Sequence, residues 1–270
     1  MITDIGLERM GDFQDWLSFC QVGSGSTLPS ASDSSLVNRL ASTNVSNTTE
    51  AGNATEAPYF CYRRKTFRFA EGAAAGNLSE VGVGWASTGS LYSRELILDG
   101  SGDPTTITVL ADEILDVTYE KRQYMPAVDS SGVITLDGVD YAYVGRASNV
   151  TIANDTTGWQ IPVAGISAGL VPPAFAHRAY EGTIGGVLSE PSGAADAPTS
   201  STALAYVANS KQRSWTLLWN NNQANFATGI RSVRTKCGIG NYQLGFTPAI
   251  PKDLTKVLSL TFQHSWARRP

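Results

Sequence analysis

Carboxylates are the residues of this chain whose spacing comes closest to that of a catalytic group. Asp112, Glu113, Asp116 and Glu120 follow one another closely, and sugar-cleaving enzymes on β scaffolds use two such groups. Asp116 and Glu120, however, lie on the polar face of an alternating run over 114–124, which is typical of a solvent-facing strand. Asp112 and Glu113 stand at the start of that run, where turn roles are common. The pattern therefore favours a solvated strand over a glycosidase pair.

The other residue types that carry chemistry are few. His177 and His264 are the only histidines of the sequence, too few for a metal triad without carboxylates at matching spacing. His264 follows a strand pattern among aromatic residues, where a packed imidazole is expected, whereas His177 lies in a Pro/Ala-rich stretch. Cys61 stands between Phe60 and Tyr62 and is predicted to be a core position rather than a nucleophile. We therefore expect no catalytic residue, metal or cofactor, and a protein that is not an enzyme.

Two glycine-rich segments resemble nucleotide loops in their glycine spacing alone. Gly82 and Gly84 lie inside a strand pattern and lack the third glycine and the helix of a dinucleotide site. The segment 71–77 has no Lys-Ser/Thr pair after it. The first is read as a strand in close contact with its neighbours, and the second as a turn.

Composition favours a folded protein with an uncharged polar surface. The chain has 270 residues, is 42% hydrophobic and carries a net charge of −4. Charged residues make up 16%, against about 25% in an average domain. Neutral polar groups cost less to desolvate than charges, so such a surface suits permanent assembly.

Several classes of partner and location are disfavoured by the same composition. No basic stripe is present to release counterions from nucleic acid, and no apolar run approaches the roughly 18 residues of a membrane span. The N-terminal residues carry charges where an export signal needs apolar ones. Cys20, Cys61 and Cys237 are an odd set without paired spacing, which indicates buried thiols.

Apolar residues recur at every second position through most of the chain, which predicts strands. The predicted fold is mainly β, an antiparallel β-sandwich. A hairpin is expected around Asp137-Gly138, between 133–136 and 139–144. The other predicted strands span 59–69, 78–86, 91–98, 105–110, 114–124, 214–219, 227–235 and 256–266.

Two regions are predicted from the change in pattern near residue 57. Residues 1–57 are expected to form an N-terminal arm that docks on a neighbouring subunit, with one or two short helices over 4–17 and 30–40 and a low-complexity linker over 41–58. Residues 58–270 are expected to form the antiparallel β domain, with long loop excursions around 162–200.

Charged and aromatic residues in the strands are expected to serve the scaffold. Glu80, Arg94, Glu113 and Arg122 are predicted to form salt bridges between strands or between subunits. Five tryptophans supply packing area, and an exposed one would suit a subunit contact or a sugar platform; they are Trp85, Trp159, Trp215, Trp219 and Trp266.

Four segments of the sequence resemble those of a known family. They read AGNLSEVGVGW, LYSREL, DGSGDPTTITVLADEILDVTYEKRQY and LSLTFQHSWARR. The chain resembles virion structural proteins of tailed bacteriophages, and VGSGSTLPSASDSSLVNRLAST is similar to the opening of phage tail-appendage proteins. The span 126–251 has no counterpart. Scaffold residues implied by the resemblance are Gly23, Gly25, Pro29, Asp33, Leu36, Gly76, Asn77, Glu80, Gly82, Ser93, Arg94, Asp99, Pro104, Glu113, Tyr119, Arg122, Trp266 and Arg268.

The resemblance implies a structural subunit of the tail, baseplate or collar-fibre apparatus. Such a subunit is made in the host cytoplasm and resides in the virion, and its partners are copies of itself, most simply in a trimer, and other virion proteins. Two alternatives remain open: a head-decoration protein that stabilises the capsid, and a receptor- or glycan-binding tail module that contacts the host surface.

Overall fold

The computed structural model of the protein describes residues 1–11, 17–149, 177–237 and 240–269, without the side chain of Cys237. Within these ranges the chain is mainly β, with one short helix, as predicted. The elements are α1 Asp4–Arg9, β1 Phe19–Gly23, β2 Arg39–Thr43, β3 Ser46–Ala54, β4 Phe60–Phe69, β5 Gly76–Leu78, β6 Glu80–Gly84, β7 Leu91–Leu96, β8 Ile107–Val109, β9 Leu115–Tyr124, β10 Ser130–Leu136, β11 Val139–Ala147, β12 Arg178–Tyr180, β13 Ala195–Asp196, β14 Ser200–Ala203, β15 Gln212–Trp219, β16 Ile230–Cys237, β17 Gly240–Ile250 and β18 Leu258–Ser265.

The strands pair antiparallel and form five sheets in the described part of the chain. Their orders are β2-β1-β6-β7, β10-β11-β17-β16-β12-β13, β14-β15-β18, β3-β4-β9 and β5-β8. The sheets turn their apolar faces to a shared core, so the arrangement is sandwich-like. None of the described helices has the length and hydropathy of a membrane span.

The alternating pattern of the sequence sets the faces of these strands. In β4, Cys61, Phe67 and Phe69 are buried with at most 1% of their surface exposed, as the period of two predicts. Trp215 and Trp219 of β15 are fully buried, and each large side chain of this kind contributes about 1.5–3 kcal/mol through burial. Most of these residues belong to one core that also includes residues of β1, β6 and β7.

The predicted hairpin is confirmed. β10 and β11 pair from Leu136 and Val139 outward, which leaves Asp137 and Gly138 as a two-residue loop. Both have positive φ, 50° and 78°, as a type I′ turn requires.

The predicted second helix over 30–40 and the predicted linker over 41–58 are wrong. Residues 30–38 form turns and irregular chain, and β2 and β3 occupy most of the span 39–54. β3 pairs along β4 from Ser46 to Ala54. The apolar pattern of the sequence did not indicate β3, because β3 is an exposed strand with few side chains to bury. Its backbone hydrogen bonds to β4 hold it in the sheet.

The N-terminal residues are part of the β fold rather than a separate arm. β1 lies between β2 and β6 in its sheet. Thr3 caps α1 through a bond from the Gly6 amide, and its hydroxyl donates to the Leu91 carbonyl at 2.6 Å. The change in composition near residue 57 therefore marks an exposed strand and not a boundary between bodies.

The predicted excursion over 162–200 is described only from residue 177 onward. Residues 162–176 and Trp159 lie outside the described residues. The remainder includes β12 and β13, and β12 pairs with β16. β14 and β17 were not predicted. β17 contains Gly245 and Pro248, and both residue types are uncommon inside strands, so the sequence did not indicate one there.

Candidate functional site

Glu80, at the start of β6, is the centre of a buried polar network. Its side chain has no exposed surface. One carboxylate oxygen accepts from the Gly25 and Asn38 amides at 3.0 and 2.8 Å. The other accepts from the Val37 amide at 3.1 Å and from Arg94 Nε at 2.9 Å. All four donors bind the ionised form of the carboxylate.

Arg94, on the neighbouring strand β7, completes the network. It lies opposite Gly82 of β6, and 1% of its side chain is exposed. Besides Glu80, its guanidinium donates to Asp33 Oδ2 at 2.7 Å and to the Thr27 carbonyl at 2.7 Å. We call Glu80, Arg94 and Asp33, with the backbone groups that they bind, the Glu80–Arg94 network.

The pKa shifts in the network follow from burial and hydrogen bonding. Burial alone would raise the pKa of Glu80, but bonds from the Asn38 and Val37 amides and from Arg94 outweigh it and hold the pKa below its ordinary value. Burial likewise opposes ionisation of Asp33, and its bonds from Ser30 and Arg94 lower its pKa. Both carboxylates are therefore ionised at neutral pH.

The network fastens the loop over 24–38 onto the sheet. Gly25 must be glycine, because a Cβ there would lie 2.5 Å from both Glu80 Oε1 and Val37 Cβ. Ser79 Oγ adds a bond to the Gly25 carbonyl at 2.9 Å. The Glu80 carboxylate already accepts four hydrogen bonds, which matches its lone-pair capacity. The arrangement can hold a backbone in place, and it leaves this carboxylate no free lone pair for a substrate.

Several residues implied by the resemblance meet at this network. Gly82 lies opposite Arg94 in the neighbouring strand and is closely packed, since a Cβ there would lie 2.8 Å from Leu91 and 3.0 Å from Leu36. Ser93 Oγ donates to the Tyr119 hydroxyl at 3.1 Å and so links β7 to β9. Those that the fold brings into or against the network are Gly23, Gly25, Asp33, Glu80 and Arg94. Leu36 lies beside Gly82, and Ser93 and Tyr119 form a separate link.

Other implied residues lie apart from the network and support turns. Asn77 of β5 accepts from Thr108 Oγ1 of β8 at 2.8 Å, and Gly76 has a φ of 137°. Asp99 accepts from the Ser101 and Asp103 amides at 2.8 and 3.0 Å. These contacts shape the ends of strands. Pro104 forms an isolated bridge with Leu98.

The predicted salt bridge between strands is confirmed for Glu80 and Arg94. Arg122 also forms an ion pair, but within its own strand β9: its Nε lies 2.5 Å from Glu120 Oε1. Glu113 forms no inter-strand salt bridge within the described residues: its carboxylate accepts from the Leu110 amide at 2.8 Å within a turn, and a salt bridge to another subunit stays a prediction.

The C-terminal residues fasten the N-terminal helix. Trp266 Nε1 donates to the Leu7 carbonyl at 2.8 Å. Arg268 Nε donates to the Ile2 carbonyl at 2.6 Å, and its guanidinium pairs with Asp4. The Arg9 guanidinium lies over the Trp85 ring at 5.0 Å. Trp85 and Trp266 are half-buried, and none of the tryptophans in the described ranges is exposed.

Asp116 and Glu120, two of the four carboxylates that could suggest a glycosidase, form ion pairs on the polar face of β9. Asp116 Oδ2 lies 2.5 Å from Arg68 NH2, and Glu120 Oε2 lies 2.6 Å from Arg64 NH2. The bond from Arg68 lowers the pKa of Asp116. Burial opposes ionisation of Glu120, but Arg122 and Arg64 lower its pKa overall. A carboxyl group that acts as a general acid needs a pKa raised above its ordinary value.

Both histidines pack against the fully buried ring of Trp215. His177 is fully buried, and its Nδ1 accepts from the Lys236 amide at 3.2 Å. The His264 ring meets Trp215 and Tyr242 edge-on, with centroids 4.6 and 4.1 Å apart. Burial, with a contribution from His177, lowers the pKa of His264 to about 3. The packed imidazole predicted for His264 is confirmed.

The described residues contain no group of three or more His, Cys, Asp or Glu side chains placed to hold a metal ion. Comparisons with protein-family models, with curated proteins and with solved structures return no match. The geometry of the Glu80–Arg94 network and of the surfaces around it is therefore the basis for a functional proposal.

Proposed function

We propose that this protein is a structural subunit of a tailed-phage virion, in the tail, baseplate or collar-fibre apparatus, that acts by self-association and by docking to other virion proteins. The proposal rests on the positions of the residues that the resemblance to phage virion proteins implies. They are far apart in the sequence, yet Gly25, Asp33, Glu80 and Arg94 meet in one buried network. Segments that resemble the phage family therefore contribute residues to one buried network, which supports a structural role for the chain.

The outer face of the β10–β11 hairpin supports self-association. Val133 lies opposite Ala142. Val144, which lies opposite Ser131, is the next residue of β11 on the same face. Val133 and Val144 are 61% and 38% exposed. The charged residues on this face are Asp140, which accepts from Thr135 Oγ1 at 2.6 Å, and Arg146, which forms an ion pair with Asp129. Most side chains of this face are apolar or neutral polar, and such groups cost less to desolvate than charges when a second copy packs on them.

An open strand edge offers a second route to assembly. β18 pairs with β15 along its whole length, and it is the last strand of its three-stranded sheet in the described part of the chain. Its other side presents backbone donors and acceptors to a further strand. An edge of this kind suits docking of an extended segment from a neighbouring virion protein.

Sedimentation of the purified protein tests the role of the hairpin face. The wild-type chain should form a closed oligomer, and V133D/V144D should be monomeric with an unchanged circular-dichroism spectrum. L254D is a matched control, since Leu254 is 66% exposed but lies in the turn before β18; it should assemble like wild type. A wild-type chain that stays monomeric at high concentration would contradict self-association.

Labelling of virus particles tests the proposed location. Gold-tagged antibodies against the purified protein should decorate particles from the phage that encodes it. Decoration of the head alone, at high copy number, would instead indicate the capsid-stabilising alternative. Selective binding on a glycan array would favour the host-receptor alternative.

A further inference from the structure

A buried lysine lies just after β17, against the loop over 220–229 that joins β15 to β16. Lys252 is 5% exposed. Its Nζ donates to the Asn220 carbonyl at 2.7 Å and to Oδ1 of the Asn225 side chain at 3.0 Å. The lysine thus connects the end of one strand to two points of a loop that begins 32 positions earlier in the chain.

The carboxamide of Asn225 is held in a defined orientation. Its Nδ2 donates to the Asn221 carbonyl at 2.7 Å, so the oxygen, which can only accept, is the atom turned to Lys252. Cγ, the carbon of the carboxamide, is bonded to that oxygen and therefore lies close to the lysine nitrogen. An amine held against a carboxamide carbon in this way has the two partners of an acyl transfer in place.

Asp196 of β13 places a carboxylate at the same loop. Its Oδ2 accepts from the amide of Ala224, the residue before Asn225, at 2.7 Å. Its charge also acts on Lys252. A carboxylate beside an amine can take a proton from it and pass that proton to a leaving nitrogen.

The surroundings favour the uncharged, nucleophilic form of the amine. Trp219 and Ala224 directly precede the two residues that Lys252 contacts, and they are at most 1% exposed. Burial lowers the pKa of Lys252, and the charges of Asp253 and Asp196 offset only part of that effect. A desolvated lysine amine is a better nucleophile at neutral pH than an exposed one.

We infer that Lys252 and Asn225 form an intramolecular isopeptide bond. Lys252 Nζ attacks Cγ of Asn225, the new C–N bond forms, and the bond from Cγ to Nδ2 breaks. Asp196 takes one proton from the attacking amine and passes it to the departing nitrogen, so that ammonia leaves. Asn225 is exposed, which gives the ammonia a path to solvent.

The bond would link two residues 27 positions apart and fasten the segment after β17 to the β15–β16 loop. It forms within one chain, so it is independent of the proposed self-association.

Intact-mass spectrometry of the purified, denatured full chain tests the bond. Wild type should be lighter than its sequence mass by about 17 Da, the mass of one ammonia. K252R should have its full sequence mass, because a guanidinium that stays protonated is a poor nucleophile. N225A should also have its full mass, and D196N should remain largely unlinked because the proton carrier is lost.

K256R and N222A are the matched controls. Lys256 is an exposed surface lysine, and Asn222 is an exposed residue of the same loop, so both variants should lose about 17 Da like wild type. Peptide mapping should find one branched peptide that joins residues 225 and 252. This peptide distinguishes the cross-link from a succinimide at an asparagine, which changes the mass equally.

Three results would overturn the inference: a wild-type chain of full sequence mass, a mass loss that maps to residues other than Lys252 and Asn225, or D196N linked as completely as wild type. The mass and the peptide map of the wild-type chain decide the matter even if a variant fails to fold. Sedimentation measures self-association separately, so failure of the cross-link and failure of the assembly proposal are distinguishable.

Discussion

The carboxylate of Glu80 and Nε of Arg94 lie 2.9 Å apart on adjacent strands, and both side chains are withdrawn from solvent. Between them they hold the backbone of a loop that begins more than fifty residues earlier in the chain, with the Glu80–Gly25 contact spanning 55 positions. The pair therefore couples the N-terminal segment to the centre of its sheet. Its physical consequences can be tested without any knowledge of a partner.

Removing the Glu80 charge should strongly destabilise the protein. E80Q leaves Arg94 buried with Asp33 as its remaining carboxylate and places an amide among donors, so we expect a loss of about 3 kcal/mol or more in the free energy of unfolding. Urea denaturation measures it. R68M is the matched control, because Arg68 pairs with Asp116 on an exposed face, and it should cost at most about 1 kcal/mol. Equal losses for the two variants would contradict the structural role of the network.

Acid should weaken the protein through the same carboxylates. The folded pKa values of Glu80 and Asp33 lie below their ordinary ones, so their stabilisation is present above the unfolded pKa and is lost as pH falls through the folded one. For Glu80 the loss begins below about pH 4.5, its ordinary value. The free energy of unfolding should fall less steeply with acid in E80Q than in wild type. Parallel curves would argue against a depressed pKa.

His264 should make its own contribution at milder pH. Its folded pKa is lowered to about 3 from an ordinary 6.5, so its stabilisation is complete above pH 6.5 and declines below it as the unfolded chain gains a proton. The slope should reach about 1.4 kcal/mol per pH unit. The imidazole proton resonance of His264 should not titrate between pH 8 and 5. A titration midpoint near 6.5 would show that the ring is accessible to protons.

Close packing at Gly25 predicts a cost for adding one methyl group. G25A places Cβ 2.5 Å from Glu80 Oε1 and Val37 Cβ, and the required shifts should cost about 1–3 kcal/mol. G100A is the control, since a Cβ at Gly100 meets nothing within 4 Å, and thermal denaturation should find it close to wild type. A tolerated G25A would mean that the loop over 24–38 is not held tightly.

Truncation should distinguish an arm from an integral segment. Deleting residues 1–40 removes α1 and β1, and β1 is paired on both sides in its sheet. We expect an unfolded or aggregated product by circular dichroism and gel filtration. A soluble, folded β domain after this deletion would instead support the separate N-terminal arm that the sequence predicts.

Local pattern predicted those elements whose side chains divide between core and solvent. The alternation around Phe67 and Phe69 identified β4, and Asp137-Gly138 identified the hairpin. β3 escaped because an exposed strand needs no apolar face, and β17 escaped because Gly245 and Pro248 resemble strand breakers.

Long-range contacts were predictable only in part. The strand pattern suggested that Glu80 and Arg94 would form ion pairs, but no local signal indicates that the Val37 and Asn38 amides bind Glu80. The burial of Lys121 had a signal that was available: it continues the inward face of Leu115, Val117 and Tyr119. A lysine at an inward-facing position indicates either that the strand ends there or that the lysine is buried. The sequence alone does not distinguish the two.

The most direct test of the proposed function is an electron-microscopy map of intact phage particles from a host that produces this chain. We predict density for this fold, in several symmetry-related copies at the tail, baseplate or collar, with the β10–β11 hairpin face at a subunit contact. Particles whose resolved density and protein composition lack this chain altogether would contradict the proposal.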